Sequence, residues 1–397
     1  MNVNGIDGTT KMVSTPVAWL DVLLNAWRSP ATREDREAIA APAFNTKIRN
    51  LCLILSVLVI FNHSTSGVWI SGSEQQPSVT RSEAGIAVAS WETVVQFFLS
   101  GSMWRVTNPV FFMASGFLFF FGWRPTLLGL HRKLSKRVFT LFSPYLIWIG
   151  LSMSLNFVSY ILANFPNFQH EWVAGRISWS QVMTFFLNMP RSGQLWFLHD
   201  LLLIMAFAVP VLALVLPRLR GWTIPLFLAL YFSDIPNPGV GRPGLCFFAI
   251  GATLGYLRLQ PKFPSLVWRR IAVMAWVGTA GAYTILSLLT DWQLKPLFNL
   301  LVLVGIVGVW AFYDLLPARM HNWLTGLSPY RFFIYMMFDP LLPILQRVIA
   351  PWLAPTPLIQ LLCYFVMPLI VIALCVGIAG SLRQRLPRGY AVLTGGR

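Results

Sequence analysis

Long apolar stretches recur along the whole chain and are separated by short polar or basic segments. In the first of them, IRNLCLILSVLVIFNHS, only Asn50, Ser56 and Asn62 interrupt the apolar or small residues between Arg49 and His63. Stretches of this length and polarity predict membrane-spanning helices. The pattern predicts about ten spans, at roughly 50–63, 95–122, 138–163, 195–217, 222–233, 244–258, 271–289, 297–316, 331–348 and 358–380.

Composition narrows the class of protein. The 397 residues are 56% hydrophobic and 11% charged, with a mean hydropathy of +0.63. A soluble globular domain carries about 25% charged residues, so this class is excluded. The sequence therefore predicts an all-α, polytopic membrane protein whose surroundings are a lipid bilayer.

The basic residues predict the orientation of these spans. If the N-terminus is cytosolic, alternate loops collect most of the 30 Lys and Arg residues on the cytosolic side, as the positive-inside rule requires. Both termini are then cytosolic, and the net charge of +16 is explained without nucleic acid. We expect a tail over 1–46 with a short amphipathic helix at 17–27, a transmembrane domain over 47–382, and a basic tail over 383–397.

The four cysteines all lie inside apolar runs, at Cys52, Cys246, Cys363 and Cys375. None has the CxxC or Cys/His spacing of a metal site. We interpret them as small core residues and predict neither a disulfide nor a bound metal.

Arg49 and His63 are candidate functional residues at opposite ends of the first span. Fourteen positions turn a helix through about 1400°, so the two residues lie on nearly one face, about 21 Å apart. Histidine titrates near neutral pH and is the usual general base in proteins, although an interfacial histidine can also be a solvated helix end. The predicted orientation puts His63 at the outer face and Arg49 at the inner face.

Other polar residues gather at the outer level, among them Glu92, Arg105 and Asp200. Charges at membrane depth are costly unless they pair or line a watered cavity. Asp200 either orients a histidine or pairs with Arg105. Asp339, inside the ninth span and next to Pro340, also needs a partner, and its role stays open.

Several short motifs occur in a fixed order. They are the first span ending in His63, RVTNPVFFMASGFLFF at 105–120, KLSKRVFTLFSPYLIW at 133–148 and QLWFLHDLLL at 194–203. FFAIGATLG at 247–255 and FFIYMMFDPLL at 332–342 are looser matches. Over roughly residues 47–380 the chain resembles the acyltransferase-3 family of integral membrane acyltransferases, in particular the exopolysaccharide and lipopolysaccharide O-acetyltransferases. In that family a basic residue usually stands where this chain has Cys52, one turn after Arg49.

The resemblance implies roles for individual residues. His63 is the candidate catalytic base, and its relation to the acyl group, as base only or as acyl carrier, stays open. The expected donor-binding cations are Arg49, Lys133, Lys136 and Arg137, the last three in a basic loop whose alternative role is to set topology. The expected acceptor-side residues are Arg105, Trp196 and Asp200. Ser115, in the Ser-Gly-Phe turn, is expected to allow close helix packing.

The resulting expectation is an enzyme of the bacterial inner membrane that moves an acyl group, with acetyl as the leading candidate, from cytosolic acyl-CoA to a sugar acceptor at the outer face. The acceptor is a glycan or a lipid-linked sugar, and no permanently bound cofactor is expected. Two alternatives stay open: a glycan or lipid transporter that uses the same polar groups as a proton relay, and an enzyme acting on a small amine or peptide. The sequence does not indicate the oligomeric state.

Overall fold

The computed structural model describes residues 42–65, 91–123, 126–163, 195–235, 241–289, 294–349, 352–353 and 356–396. All regular elements in these ranges are helices. They are α1 (Pro42–His63), α2 (Trp91–Gln96), α3 (Thr107–Phe120), α4 (Leu127–Ala163), α5 (Leu195–Leu203), α6 (Val209–Leu219), α7 (Thr223–Phe232), α8 (Arg242–Leu257), α9 (Leu266–Leu289), α10 (Lys295–Leu315), α11 (Ala318–Leu327), α12 (Arg331–Ile349), α13 (Pro357–Arg385) and α14 (Pro387–Thr394). The amphipathic helix predicted at 17–27 lies outside the described residues.

Five helical segments in the described ranges are long and apolar enough to cross a membrane: Phe44–His63, Leu195–Phe232, Leu266–Leu289, Lys295–Leu315 and Pro357–Arg385. The prediction of a helical membrane protein is therefore confirmed, while ten spans with cytosolic termini stay a prediction. The second of these segments contains two predicted spans. Its helix breaks between them at Arg220, where φ is 47°.

The predicted second span is one helical stretch with an irregular middle. Between α2 and α3 lie a π-helical turn, Phe97–Ser102, and a 3₁₀ turn, Met103–Val106. Arg105 is part of the 3₁₀ turn and lies inside this stretch. Departures of this kind from the α-helix are typical of strained or functional positions.

The basic segment before the third span is helical and not a loop. The 37 residues of α4 include Lys133, Lys136 and Arg137 together with the predicted span 138–163. Because each residue turns a helix by about 100°, Lys133 and Arg137 lie about 40° apart around α4, whereas Lys136 lies about 100° from Arg137. The rotation of α4 therefore decides which of these side chains faces a given surface.

Glycines bring α3 and α8 into backbone contact. A Cβ atom added at Gly251 would lie 2.0 Å from the carbonyl oxygen of Met113, and one at Gly116 would lie 2.1 Å from that of Phe248. Only glycine allows such an approach, which is a common way for membrane helices to pack. The role expected for Ser115 therefore belongs to its neighbour, Gly116.

A polar cluster ties the first half of α1 to α10. Lys47 Nζ lies 2.6 Å from Asp314 Oδ1 and 3.9 Å from the centroid of the Trp310 ring. One turn later, Asn50 Nδ2 donates to Tyr313 Oη at 3.1 Å. These contacts fix the rotation of α1 about its axis, and with it the direction in which Arg49 points.

Candidate active site

A cavity of about 330 Å³ lies between α1, α3, α4, α12 and the helical segment that begins with α5. Its size is at the lower end of the range of small-molecule sites. Most of its wall is apolar or aromatic. The lining residues are Asn45, Ile48, Arg49, Cys52, Ser56, Phe111, Ala114, Ser115, Leu118, Arg137, Leu141, Phe197, Leu198, Leu201, Met205, Arg331, Phe332 and Tyr335.

Three arginines from three different helices line this cavity: Arg49 on α1, Arg137 on α4 and Arg331 on α12. Arg49 is exposed, whereas Arg137 and Arg331 are partly buried. No acidic side chain is among the lining residues of the described chain. The cavity therefore carries an excess of positive charge and is suited to an anionic ligand.

Two of the four predicted donor-binding residues, Arg49 and Arg137, meet in the cavity, and two do not. Lys133 Nζ donates to the carbonyl oxygens of Phe119 and Phe121 at 3.0 and 2.9 Å, so it caps the C-terminal end of α3. Burial, with a smaller contribution from the charge of Arg137, lowers the pKa of Lys133. Lys136 is exposed and is absent from the cavity wall.

Arg331 is the cavity residue that the sequence analysis did not select. In the sequence it stands at the head of the ninth predicted span, where the positive-inside rule alone accounts for a basic residue. A usable signal was present, since Arg331 and Tyr335 are four residues apart and share one face of a helix. Its Nη1 donates to the carbonyl oxygen of Ser328 at 2.7 Å, which holds the side chain at the start of α12.

The face of α1 that lines the cavity continues to His63. Ser56 is in the wall, and His63 follows two turns later, about 20° away around the helix and about 10 Å further along its axis. His63 is exposed and lies outside the cavity itself. Its ring is 5.5 Å from that of Phe338 on α12.

A connected group of aromatic rings joins the cavity wall to His63. The rings of Phe111 and Tyr335 are 5.6 Å apart, and each also contacts Phe197, at 5.6 and 6.0 Å. Tyr335 then lies 6.2 Å from Phe338, the ring that touches His63. The cavity and the histidine are therefore two ends of one aromatic-lined region.

The three predicted acceptor-side residues do not meet in this cavity. Arg105 Nε donates to the carbonyl oxygen of Gly101 at 2.8 Å, and its guanidinium faces the rings of Trp104 and Phe298, the latter on α10. Trp196 packs against the core rings Phe112 and Phe197. Their proposed contact with a sugar stays a prediction.

Asp200 has two partners among the described residues. Its carboxylate accepts from the backbone N–H of Gly241 at 3.1 Å and lies 3.4 Å from Nδ1 of His199. Of the two alternatives for Asp200, the contact with a histidine is observed, and that histidine is its own neighbour in the chain. An ion pair with Arg105 is not formed.

Asp339 follows Phe338 and lies one turn beyond Tyr335 on α12. It is partly buried and has no hydrogen bond or ion pair with another described side chain. Pro340 and Pro343 are in the same helix, and each frees a carbonyl of the preceding turn. In the described ranges, no group of three or more His, Cys, Asp or Glu residues is arranged to hold a metal ion.

Comparison with known proteins agrees with the motif order. The chain is 27% identical over 315 residues to the succinoglycan biosynthesis protein ExoH of Rhizobium meliloti (strain 1021), an alignment that covers 76% of this chain and 82% of that protein. No solved structure gave a significant match. The model of the acyltransferase-3 family, described as an acyltransferase domain, matches residues 51–377. Because this match covers most of the chain, the protein belongs to the acyltransferase-3 family and is an acyltransferase.

Proposed function

We propose that the protein transfers an acyl group, preferentially acetyl, from cytosolic acyl-CoA to a carbohydrate at the outer face of the bacterial inner membrane. One observation carries this proposal. An arginine-rich cavity at the start of α1 and the histidine at its end lie along one face of that helix and are linked by contacting aromatic rings, which supports a donor bound at one end and a base at the other. Family membership favours this reaction over the transporter alternative.

The charge and the shape of the cavity support its proposed role in binding the acyl donor. Coenzyme A carries a diphosphate and a 3′-phosphate, and guanidinium groups bind phosphate through paired, charge-assisted hydrogen bonds. Arg49 and Arg137 are positioned for this contact. Beyond them, the apolar wall of Cys52, Leu201 and Met205 suits an uncharged, flexible arm better than it suits a second charged group.

His63 is the proposed general base. Its imidazole removes the proton from an acceptor hydroxyl while the oxygen attacks the thioester carbonyl. A C–O bond forms, the C–S bond breaks, and the proton goes to the departing sulfur of coenzyme A. An acyl-histidine intermediate would reach the same products in two steps and remains a testable variant.

The acceptor is proposed to be a glycan or a lipid-linked sugar. ExoH is named for the biosynthesis of succinoglycan, a polysaccharide, which makes an exopolysaccharide repeat the first acceptor to try. Trp196, Arg105 and Asp200 stay candidates on that side, because aromatic rings stack on sugars and charged groups bind hydroxyls. The exposed side chain of His63 supports access by a large acceptor.

The test uses the purified full chain in proteoliposomes with radiolabelled acetyl-CoA and a mixture of cell-envelope glycans. Wild-type protein is expected to label the glycan, and His63→Ala is expected to label nothing while its melting temperature stays unchanged. Label on the protein in place of the glycan indicates the acyl-histidine route. Equal labelling by both proteins would refute the role of His63, and no labelling by either would refute acetyl-CoA as the donor under these conditions.

A further inference from the structure

Arg331 lines the cavity, and the proposed mechanism gives its guanidinium no role. We propose that Arg331 joins Arg49 and Arg137 in a three-cation site that binds a ligand carrying more than one phosphate group, the nucleotide end of coenzyme A. The identity of the ligand rests on the proposed function. The existence of an anion site rests only on the geometry of the cavity.

The cavity holds three positive charges that are not neutralised from within the described chain. The guanidinium groups of Arg49 and Arg137 have no hydrogen bond or ion pair with a described residue, and Arg331 uses one N–H, toward the carbonyl of Ser328. A guanidinium has five N–H donors, so most of the donors around the cavity are available. Arg331 is also close enough to Arg49 to experience its repulsion.

The arginines are held by the fold and do not simply follow the membrane surface. Arg331 is fixed to the 3₁₀ turn Ser328–Tyr330, while the α1–α10 contacts of Lys47 with Asp314 orient the turn that carries Arg49. Cations that only set topology are satisfied by lipid phosphates and need not face a common cavity. Lys136, exposed on the same helix as Arg137, does not line the cavity.

Three cations suit a ligand with separated phosphates better than a single phosphate. Two guanidinium groups satisfy a diphosphate, and a third from another helix is then available for a further phosphate some distance away. Apart from the three arginines, the described wall is mostly apolar or aromatic and carries no further cation. The phosphates are therefore expected at the arginine end, with the remainder of the donor directed toward Phe111 and Tyr335.

The experiment measures equilibrium binding to the full chain in nanodiscs by calorimetry, with three probes: coenzyme A, dephospho-coenzyme A, which lacks the 3′-phosphate, and pantetheine, which has no phosphate. Wild-type affinity is expected to fall in that order. Arg331→Gln is expected to lower the affinity for coenzyme A by about 10- to 100-fold, the range for one charge-assisted hydrogen bond. The affinity for pantetheine should stay unchanged. Lys136→Gln is the matched control and should stay within twofold of wild type.

Arg331→Lys is a control for misfolding, because lysine keeps the positive charge but cannot form the paired hydrogen bonds of a guanidinium. We expect its affinity for coenzyme A to lie between those of wild type and Arg331→Gln. Wild-type affinity for coenzyme A in a folded Arg331→Gln protein would overturn the proposal, as would an equal loss with pantetheine. The two proposals fail separately. Arginine-dependent binding without acyl transfer would refute only the reaction, and acyl transfer that is indifferent to Arg331 would refute only this site.

Discussion

Replacing Gly251 by alanine tests the close contact of α3 and α8, on which one wall of the cavity depends. The new Cβ atom would lie 2.0 Å from the carbonyl oxygen of Met113, whereas ordinary contact begins at 3.4 Å. The helices would have to separate by about 1.4 Å, and a gap of 0.5–1 Å already forfeits a quarter to a half of the dispersion energy of the atoms that face it.

The cost follows from this geometry. Overpacking a core costs roughly 1–3 kcal/mol, and here the obstructing atom belongs to a backbone, so we expect about 3 kcal/mol. Gly278 on α9 is the control, since nothing lies within 4 Å of a Cβ added there. Its alanine variant should gain up to about 1 kcal/mol from helix propensity.

Thermal unfolding of the two variants in one detergent gives the comparison. At about 2.1 cal/mol/K per residue over the 397 residues, a difference near 4 kcal/mol corresponds to about 5 °C in melting temperature. Acyl transfer should also fall in Gly251→Ala, because α3 would move toward the cavity. Equal melting temperatures for Gly251→Ala and Gly278→Ala would show that the two backbones do not touch.

Further predictions concern the site and its supports. His63→Ala should reduce acyl transfer to background without changing coenzyme A binding, measured on the same preparation; retained transfer would exclude a general base at this position. Arg137→Gln should raise the KM for acyl-CoA about tenfold while Lys136→Gln leaves it unchanged, because only the first side chain lines the cavity; similar values for both would mean that the segment acts as a topological anchor. Lys47→Met should lower the free energy of unfolding by about 2 kcal/mol, because it leaves the carboxylate of Asp314 unpaired. The loss is smaller than for a fully buried ion pair. The double variant Lys47→Met with Asp314→Asn should recover part of that loss in thermal unfolding, and no recovery would mean that the two side chains are not coupled.

The resemblance to the family and the membrane class both came from local features of the sequence. Apolar runs interrupted at one end by Arg49 and at the other by His63 define a spanning helix without reference to any other segment, because hydrophobic length and helical period belong to one stretch of chain. Their shared face follows from the same period. The structure agrees with both, in a continuous α1 over Pro42–His63.

Which side chains share the cavity could not be predicted from any single segment of the sequence. Lys133, Lys136 and Arg137 look equivalent in the sequence, yet only Arg137 faces the cavity, because the rotation of α4 is set by its packing against other helices. Arg105, a candidate on the acceptor side, faces Phe298 on α10, nearly two hundred residues away in the chain. The helical period of a sequence does not predict contacts between residues so far apart in the chain.

What the sequence determined by itself is the class of protein, the helices that carry the candidate site residues and the position of the histidine at the end of the first one. What only the tertiary structure decided is which cations share a cavity, that Arg331 is one of them, and that Gly116 and Gly251, in separate segments, bring two backbones together. The physical reason is the same in each case. Hydropathy and helical period are properties of neighbouring residues, whereas the direction in which a helix face points is fixed by the packing of distant segments against it.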